Sequence, residues 1–121
     1  MTADPVLRGL QHVSICVADI EAADRFYIDV LGLQRLDRPD LGFPGSWLGT
    51  ENGLQVHLLE VQGHQAAPEN HMAFTVDDID ASVAALRAQG VTVPDWSDNG
   101  ASRQTFLKDP SGNVVELNQP N

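Results

Sequence analysis

The chain repeats itself at a step of 59 residues, and this constrains its fold more than any other feature. Val17-Ala18-Asp19-Ile20 returns as Val76-Asp77-Asp78-Ile79. Asp19 and Asp78 each lie seven residues beyond a histidine, His12 and His71, and each reads as a helix N-cap. Helix-ending glycines follow at Gly32 and Gly90. Alternating apolar residues predict strands at Leu10–Val17, Leu33–Asp37, Ser46–Gly49 and Leu54–Glu60 in the first half. The second half repeats the order, with strands at His71–Val76, Val91–Val93, Arg103–Leu107 and Val114–Asn118. The expected fold class is therefore α+β, built from two tandem βαβββ modules. Module 1 spans about 8–61 and module 2 about 70–119, joined by a polar stretch and forming a single domain over 1–121.

The same step relates four potential metal ligands. His12 pairs with His71, and His57 with Glu116. A lone strand histidine is ordinarily a hydrogen-bonded structural residue, and a lone glutamate a solvated one. Their shared spacing raises the four to a candidate site. Strand alternation sets His12 beside Ser14 and Cys16, away from the branched residues Val13, Ile15 and Val17 that a helix would cover. His57 and Glu116 likewise point away from the helix-covered faces. Three imidazoles and a carboxylate suit Zn²⁺, Ni²⁺, Co²⁺, Mn²⁺ or Fe²⁺. Ser14, Trp47, Arg103 and Phe106 are candidate substrate contacts around them, whereas His64 reads as a solvated residue of the linker.

Charge narrows the partners. Seven basic against seventeen acidic residues give a net charge of −10, which argues against nucleic acid and anionic membranes. The start of the chain lacks a signal-peptide pattern, and no run approaches the roughly 20 apolar residues of a membrane span. Cys16 is the only cysteine, so an internal disulfide is excluded and a reducing cytoplasm is expected.

Three segments carry a resemblance: His12-Val13-Ser14-Ile15, Phe26-Tyr27-Ile28-Asp29-Val30-Leu31-Gly32-Leu33, and Asp109-Pro110-Ser111-Gly112-Asn113-Val114-Val115-Glu116-Leu117. Together they resemble the vicinal oxygen chelate superfamily, the glyoxalase/bleomycin resistance/dioxygenase group, from about Gln11 to Leu117. The resemblance implies paired βαβββ modules whose mixed sheets curl into a cup around a divalent metal held by His12, His57, His71 and Glu116. It also implies a glyoxalase-like isomerase or lyase in which the metal stabilises an enolate or similar oxyanion of a small oxygen-chelating substrate, with Glu116 as the catalytic base. Similar proteins are commonly homodimers, and the site lies within one chain in some members and across two in others. An Fe(II) ring-cleaving dioxygenase is an alternative, as is a non-catalytic antibiotic-binding protein. Where glutathione-dependent glyoxalases have their glutathione-holding Arg and Asn, this chain has Cys16 and Val61, and where catechol dioxygenases have a Tyr it has Phe106.

Overall fold

The computed structural model describes residues 6–121. Each repeat forms one four-stranded mixed sheet. The first holds β1 (His12–Val17), β2 (Gln34–Leu36), β3 (Gly45–Gly49) and β4 (Gln55–Glu60) in the order β1-β4-β3-β2. The second holds β5 (His71–Thr75), β6 (Ser97–Asp98), β7 (Ser102–Lys108) and β8 (Val114–Pro120) in the order β5-β8-β7-β6. The outer strands β1 and β5 run parallel to β4 and β8, and all other neighbours are antiparallel. A parallel pair needs a crossover, which α1 (Ile20–Asp24) and α2 (Ile79–Ala88) begin.

Both helices start as the spacing predicts. The Asp19 carboxylate accepts the Glu21 and Ala22 N–H groups at 3.0 and 3.2 Å, and Asp78 accepts that of Ala81 at 3.0 Å. A second cap comes from the sheet in each module: Ile20 N–H donates to Glu60 at 3.0 Å and Ile79 N–H to Gln119 at 2.8 Å. These pairs also differ by 59 residues. α1 continues as a π-helical stretch, Arg25–Val30, where Leu31 N–H reaches back to the Phe26 carbonyl at 2.9 Å. Gly32 and Gly90 end the helices at φ +87° and +84°, a conformation that a side chain disfavours.

The duplication governs the core too. Leu48 and Leu107, Val56 and Val115, and Leu58 and Leu117 are all buried and all separated by the same step. They lie on the helix-facing side of each sheet, which leaves the other face of each sheet to the ligand-type residues. No helix among the described residues is long and apolar enough to cross a membrane.

One strand was misjudged from sequence. Val91–Val93 is not a strand; the second strand of module 2 is β6, paired with Gln104 and Arg103. The Val93 carbonyl accepts Arg87 Nε and Nη2 at 3.1 and 2.6 Å, and the following Pro94 has no N–H for a ladder. Val93 is buried as a core residue instead.

The turn at 109–113 does more than reverse the chain; it fastens module 2 to module 1. Buried Asp109 accepts the Ser111 and Asn113 N–H groups on one oxygen, at 2.8 and 2.9 Å. Its other oxygen accepts the Tyr27 hydroxyl at 2.8 Å and Asn113 Nδ2 at 2.9 Å. Asn113 Nδ2 also donates to the Cys16 carbonyl at 2.9 Å, and Ser111 Oγ accepts Ala18 N–H at 2.8 Å. His64, expected in solvent, is half-buried with Nε2 3.0 Å from Asn113 Oδ1. Burial first, then the Asp109 charge and hydrogen bond, push the Tyr27 hydroxyl far above its ordinary range, so it stays a donor.

Candidate metal centre and the cavity beside it

Module 2 brings His71 and Glu116 together. His71 Nε2 lies 3.0 Å from Glu116 Oε1, and His71 Nδ1 donates to the Glu69 carbonyl at 3.1 Å. Phe106, directly across the ladder from Glu116, meets the His71 ring edge-on with centroids 5.4 Å apart. Glu116 is only 7% exposed, and its second oxygen accepts Asn118 Nδ2 at 2.8 Å. Asn118 Nδ2 also bonds Ser102 Oγ at 2.9 Å. The sequence reading missed Asn118, although its position two residues after Glu116 on the same strand face was the available signal.

Module 1 holds the other pair in a different way. His57 is sandwiched between His12, at 4.0 Å between centroids and 13° between planes, and Trp47, at 4.5 Å and 8°. Gln11 Oε1 accepts a hydrogen bond from His12 Nδ1–H, which leaves the Nε2 lone pair free. Gln55 Oε1 engages His57 Nε2 at 2.9 Å. Ser14 lies across the ladder from His57, just as Ala73 lies across from Glu116, and Trp47 occupies the place that Phe106 holds in module 2.

Burial first, then the neighbouring His12 and Arg38 charges, hold the His57 imidazole below its ordinary pKa. The unfolded chain then takes up this proton at higher pH than the folded one does. The stability attached to the stack is present above the ordinary imidazole pKa, about 6.5, and declines as pH falls through it. Urea midpoints followed from pH 7.5 to about 5 should fall more steeply for the native chain than for His57→Phe; parallel curves would contradict this assignment.

The donors can be tested against a divalent ion. Two donors each roughly 2.1 Å from one ion at a right angle stand about 3.0 Å apart. The His71–Glu116 separation of 3.0 Å has that bite, and the Glu69 carbonyl orients the ring as metal-ligand histidines require. His12 offers a free Nε2. His57 does not share an ion with His12 as packed, because a ligated ion lies near each ring plane and these planes are nearly parallel at a centroid spacing of 4.0 Å. Among the described residues, no three His, Cys, Asp or Glu side chains converge within one chain. The two donor pairs therefore sit on separate sheets, both on or beside the outer strands β1 and β5.

Two of the remaining candidates reach this region and one does not. Ser14 and Trp47 line a cavity of about 420 Å³ on module 1 together with His12, His57, Arg38 and Phe43. Arg103 follows the alternation of Thr105 and Leu107 onto the helix side of β7, where its guanidinium carbon lies 4.6 Å above the Trp96 ring. It does not face Glu116.

Comparison with known proteins bears on the fold. The profile of the Glyoxalase/Bleomycin resistance protein/Dioxygenase superfamily matches residues 9–117. The chain belongs to this superfamily. A lactoylglutathione lyase of Haemophilus influenzae is 29% identical, the match covering 88% of each protein. The crystal structure of a glyoxalase family protein from Bacillus anthracis superposes with a TM-score of 0.90 at 24% identity, covering 98% of this chain and 100% of that one. TnmS3, an antibiotic binding protein from Streptomyces sp. CB03234, superposes at 0.82 with 27% identity, again over 98% and 100%. The paired four-stranded mixed sheets are thus the superfamily's fold.

Proposed function

We propose that this chain is a divalent-metal-dependent, glyoxalase-like enzyme of isomerase or lyase type, acting on a small substrate with adjacent oxygens. The observation that carries the reading is the His71–Glu116 pair, two metal-type donors already at the bite of one ion. His12, His71 and Glu116 would hold the ion, with His57 joining only by leaving its stack. The ion would supply Lewis acidity to the substrate oxygens. Glu116 would take a proton from a neighbouring carbon and return it, since its strand-face carboxylate looks toward the same space as the ion. Its burial and the Asn118 amide would keep it oriented while bulk water is excluded. Ser14 and Trp47 would contact the substrate from module 1 and Phe106 from module 2.

The active form would be a homodimer. Each sheet ends on one side in a strand, β1 or β5, that carries a donor on an exposed face. A second copy joined along these edges would bring His12 of one chain to His71 and Glu116 of the other, completing both sites by two-fold symmetry. The similarity to a lactoylglutathione lyase supports the reaction type. The similarity to an antibiotic binding protein, together with the ring-lined cavity, supports a second reading in which the cup retains a ligand without turnover.

Metal analysis of protein purified without chelator is the direct test. About one equivalent of zinc, nickel, cobalt or manganese per chain supports the enzyme reading. Less than about a tenth of an equivalent of any transition metal sinks it. Iron with oxygen uptake on catechols would move the assignment to the dioxygenase. Within the same reading, Asn118→Leu should weaken metal binding roughly 10- to 100-fold by leaving one Glu116 oxygen without a donor, measured by competition with a chromophoric chelator. Arg103→Gln, turned to the other face, should change it less than about twofold.

A further inference from the structure

The cavity on module 1 has a chemistry that the donor set alone does not explain. Its aromatic wall is a stack of three rings, Trp47, His57 and His12, running across β3, β4 and β1. Such a stack is flat and rigid, and Gln55 fixes its middle ring. No second ring lies against the other face of Trp47 among the described residues. Arg38 lines the same cavity, and its guanidinium is held in place twice. Nη2 donates to the Phe43 carbonyl at 3.0 Å, and the guanidinium carbon lies 4.9 Å above the Phe43 ring. It also packs against Gly45, where an added Cβ would come within 2.9 Å of Nη2. An added Cβ would meet the Leu58 carbonyl oxygen closer still, at 2.5 Å, so the neighbouring strand as well as the cation needs a bare glycine here.

The lining of this cavity is free of carboxylates, although the chain has seventeen acidic residues. Among the described residues Arg38, like Arg25 and Arg103, makes no ion pair, so its guanidinium keeps donors for a ligand. A guanidinium held rigidly beside a flat ring stack, with donors to spare, matches a planar anion.

We propose that the ligand carries a planar conjugated anionic group, an aromatic carboxylate or phenolate, stacked on Trp47 and charge-paired with Arg38, beside the adjacent oxygens that the ion would bind. The inference rests on the site described under the proposed function and names the class of ligand it takes. His57 serves there as the middle ring of the platform that keeps Trp47 flat. The volume of about 420 Å³ accommodates a two-ring compound with one acidic substituent.

Calorimetric titration with 2-naphthoate, run once with chelator and once with one equivalent of Mn²⁺, tests this. The expected result is saturable binding at one per chain in both conditions. The neutral 2-naphthamide should bind at least about fivefold more weakly, and cyclohexanecarboxylate at least about tenfold more weakly. Trp47→Leu should weaken 2-naphthoate about tenfold, and Arg38→Gln should erase the preference for the acid over the amide. His57→Phe keeps an aromatic ring in the stack and should hold 2-naphthoate affinity within about threefold, while His57→Ala should weaken it about tenfold. Equal affinities for the three probes, or no binding of 2-naphthoate, overturn the proposal. A His57→Phe chain that binds 2-naphthoate as weakly as His57→Ala overturns the platform role. The metal requirement is read separately: a chain that binds 2-naphthoate but never retains metal keeps this inference and loses the enzyme reading.

Discussion

Refolding His12→Ala chains together with Glu116→Ala chains should restore about a quarter of the wild-type metal sites, although each variant alone retains almost none. The arithmetic follows from two-fold symmetry. Half of the randomly formed dimers pair the two variants, and each such dimer carries one doubly damaged site and one intact site. The intact site draws its module 1 from the Glu116→Ala chain and its module 2 from the His12→Ala chain. Metal content and turnover should recover together. If all four donors instead met within one chain, every chain in the mixture would be damaged and nothing would return. The distribution of donors motivates the experiment, because no three of these side chains converge among the described residues of one chain. Mixtures that stay metal-free while the native chain binds about one equivalent would refute the shared site.

Asp109→Ala should destabilise the protein by about 3–5 kcal/mol, the largest effect on stability expected here. Four donors converge on this buried carboxylate, and two of them, the Tyr27 hydroxyl and Asn113 Nδ2, tie it to the other module or to the residue that bonds the Cys16 carbonyl. Removing the acceptor strands these donors in a site that water does not reach readily. Tyr27→Phe deletes one hydroxyl and leaves Asp109 its other three donors, so it should cost only about 1–2 kcal/mol. The two share a bond, and the double variant should cost less than the sum. Urea unfolding measures all three. An Asp109→Ala midpoint equal to that of the native chain would show that the turn does not fasten the modules.

Much of this was legible in the residues because a duplication leaves two copies of every local signal. Asp19 and Asp78 as caps, Gly32 and Gly90 as helix ends, and the alternation through His12–Val17 and His71–Thr75 all recur as read. The repeat reached further than the sequence reading took it. Trp47 and Phe106, Ser46 and Thr105, and Glu60 and Gln119 are related by the same step and hold equivalent positions. The errors came where a local pattern met a distant competitor. Val91–Val93 has β-forming residues, but Arg87 takes the Val93 carbonyl and Pro94 cannot donate, so the ladder forms at Ser97–Asp98 instead. Arg103 has the chemistry of a substrate clamp, but strand alternation sends it to Trp96.

Local patterns along the chain were enough for the duplicated α+β modules, the order of their elements and the strand face on which each donor lies. These follow from periodicity and capping, which neighbouring residues decide among themselves. Which donors meet was settled by packing between distant segments. It brought His71 to Glu116, locked His57 between His12 and Trp47, and made Asp109 the fastening between the halves. Those outcomes depend on side chains up to 82 residues apart competing for one space. The packing of one sheet against its neighbours resolves that competition, and no repeat in the chain encodes it.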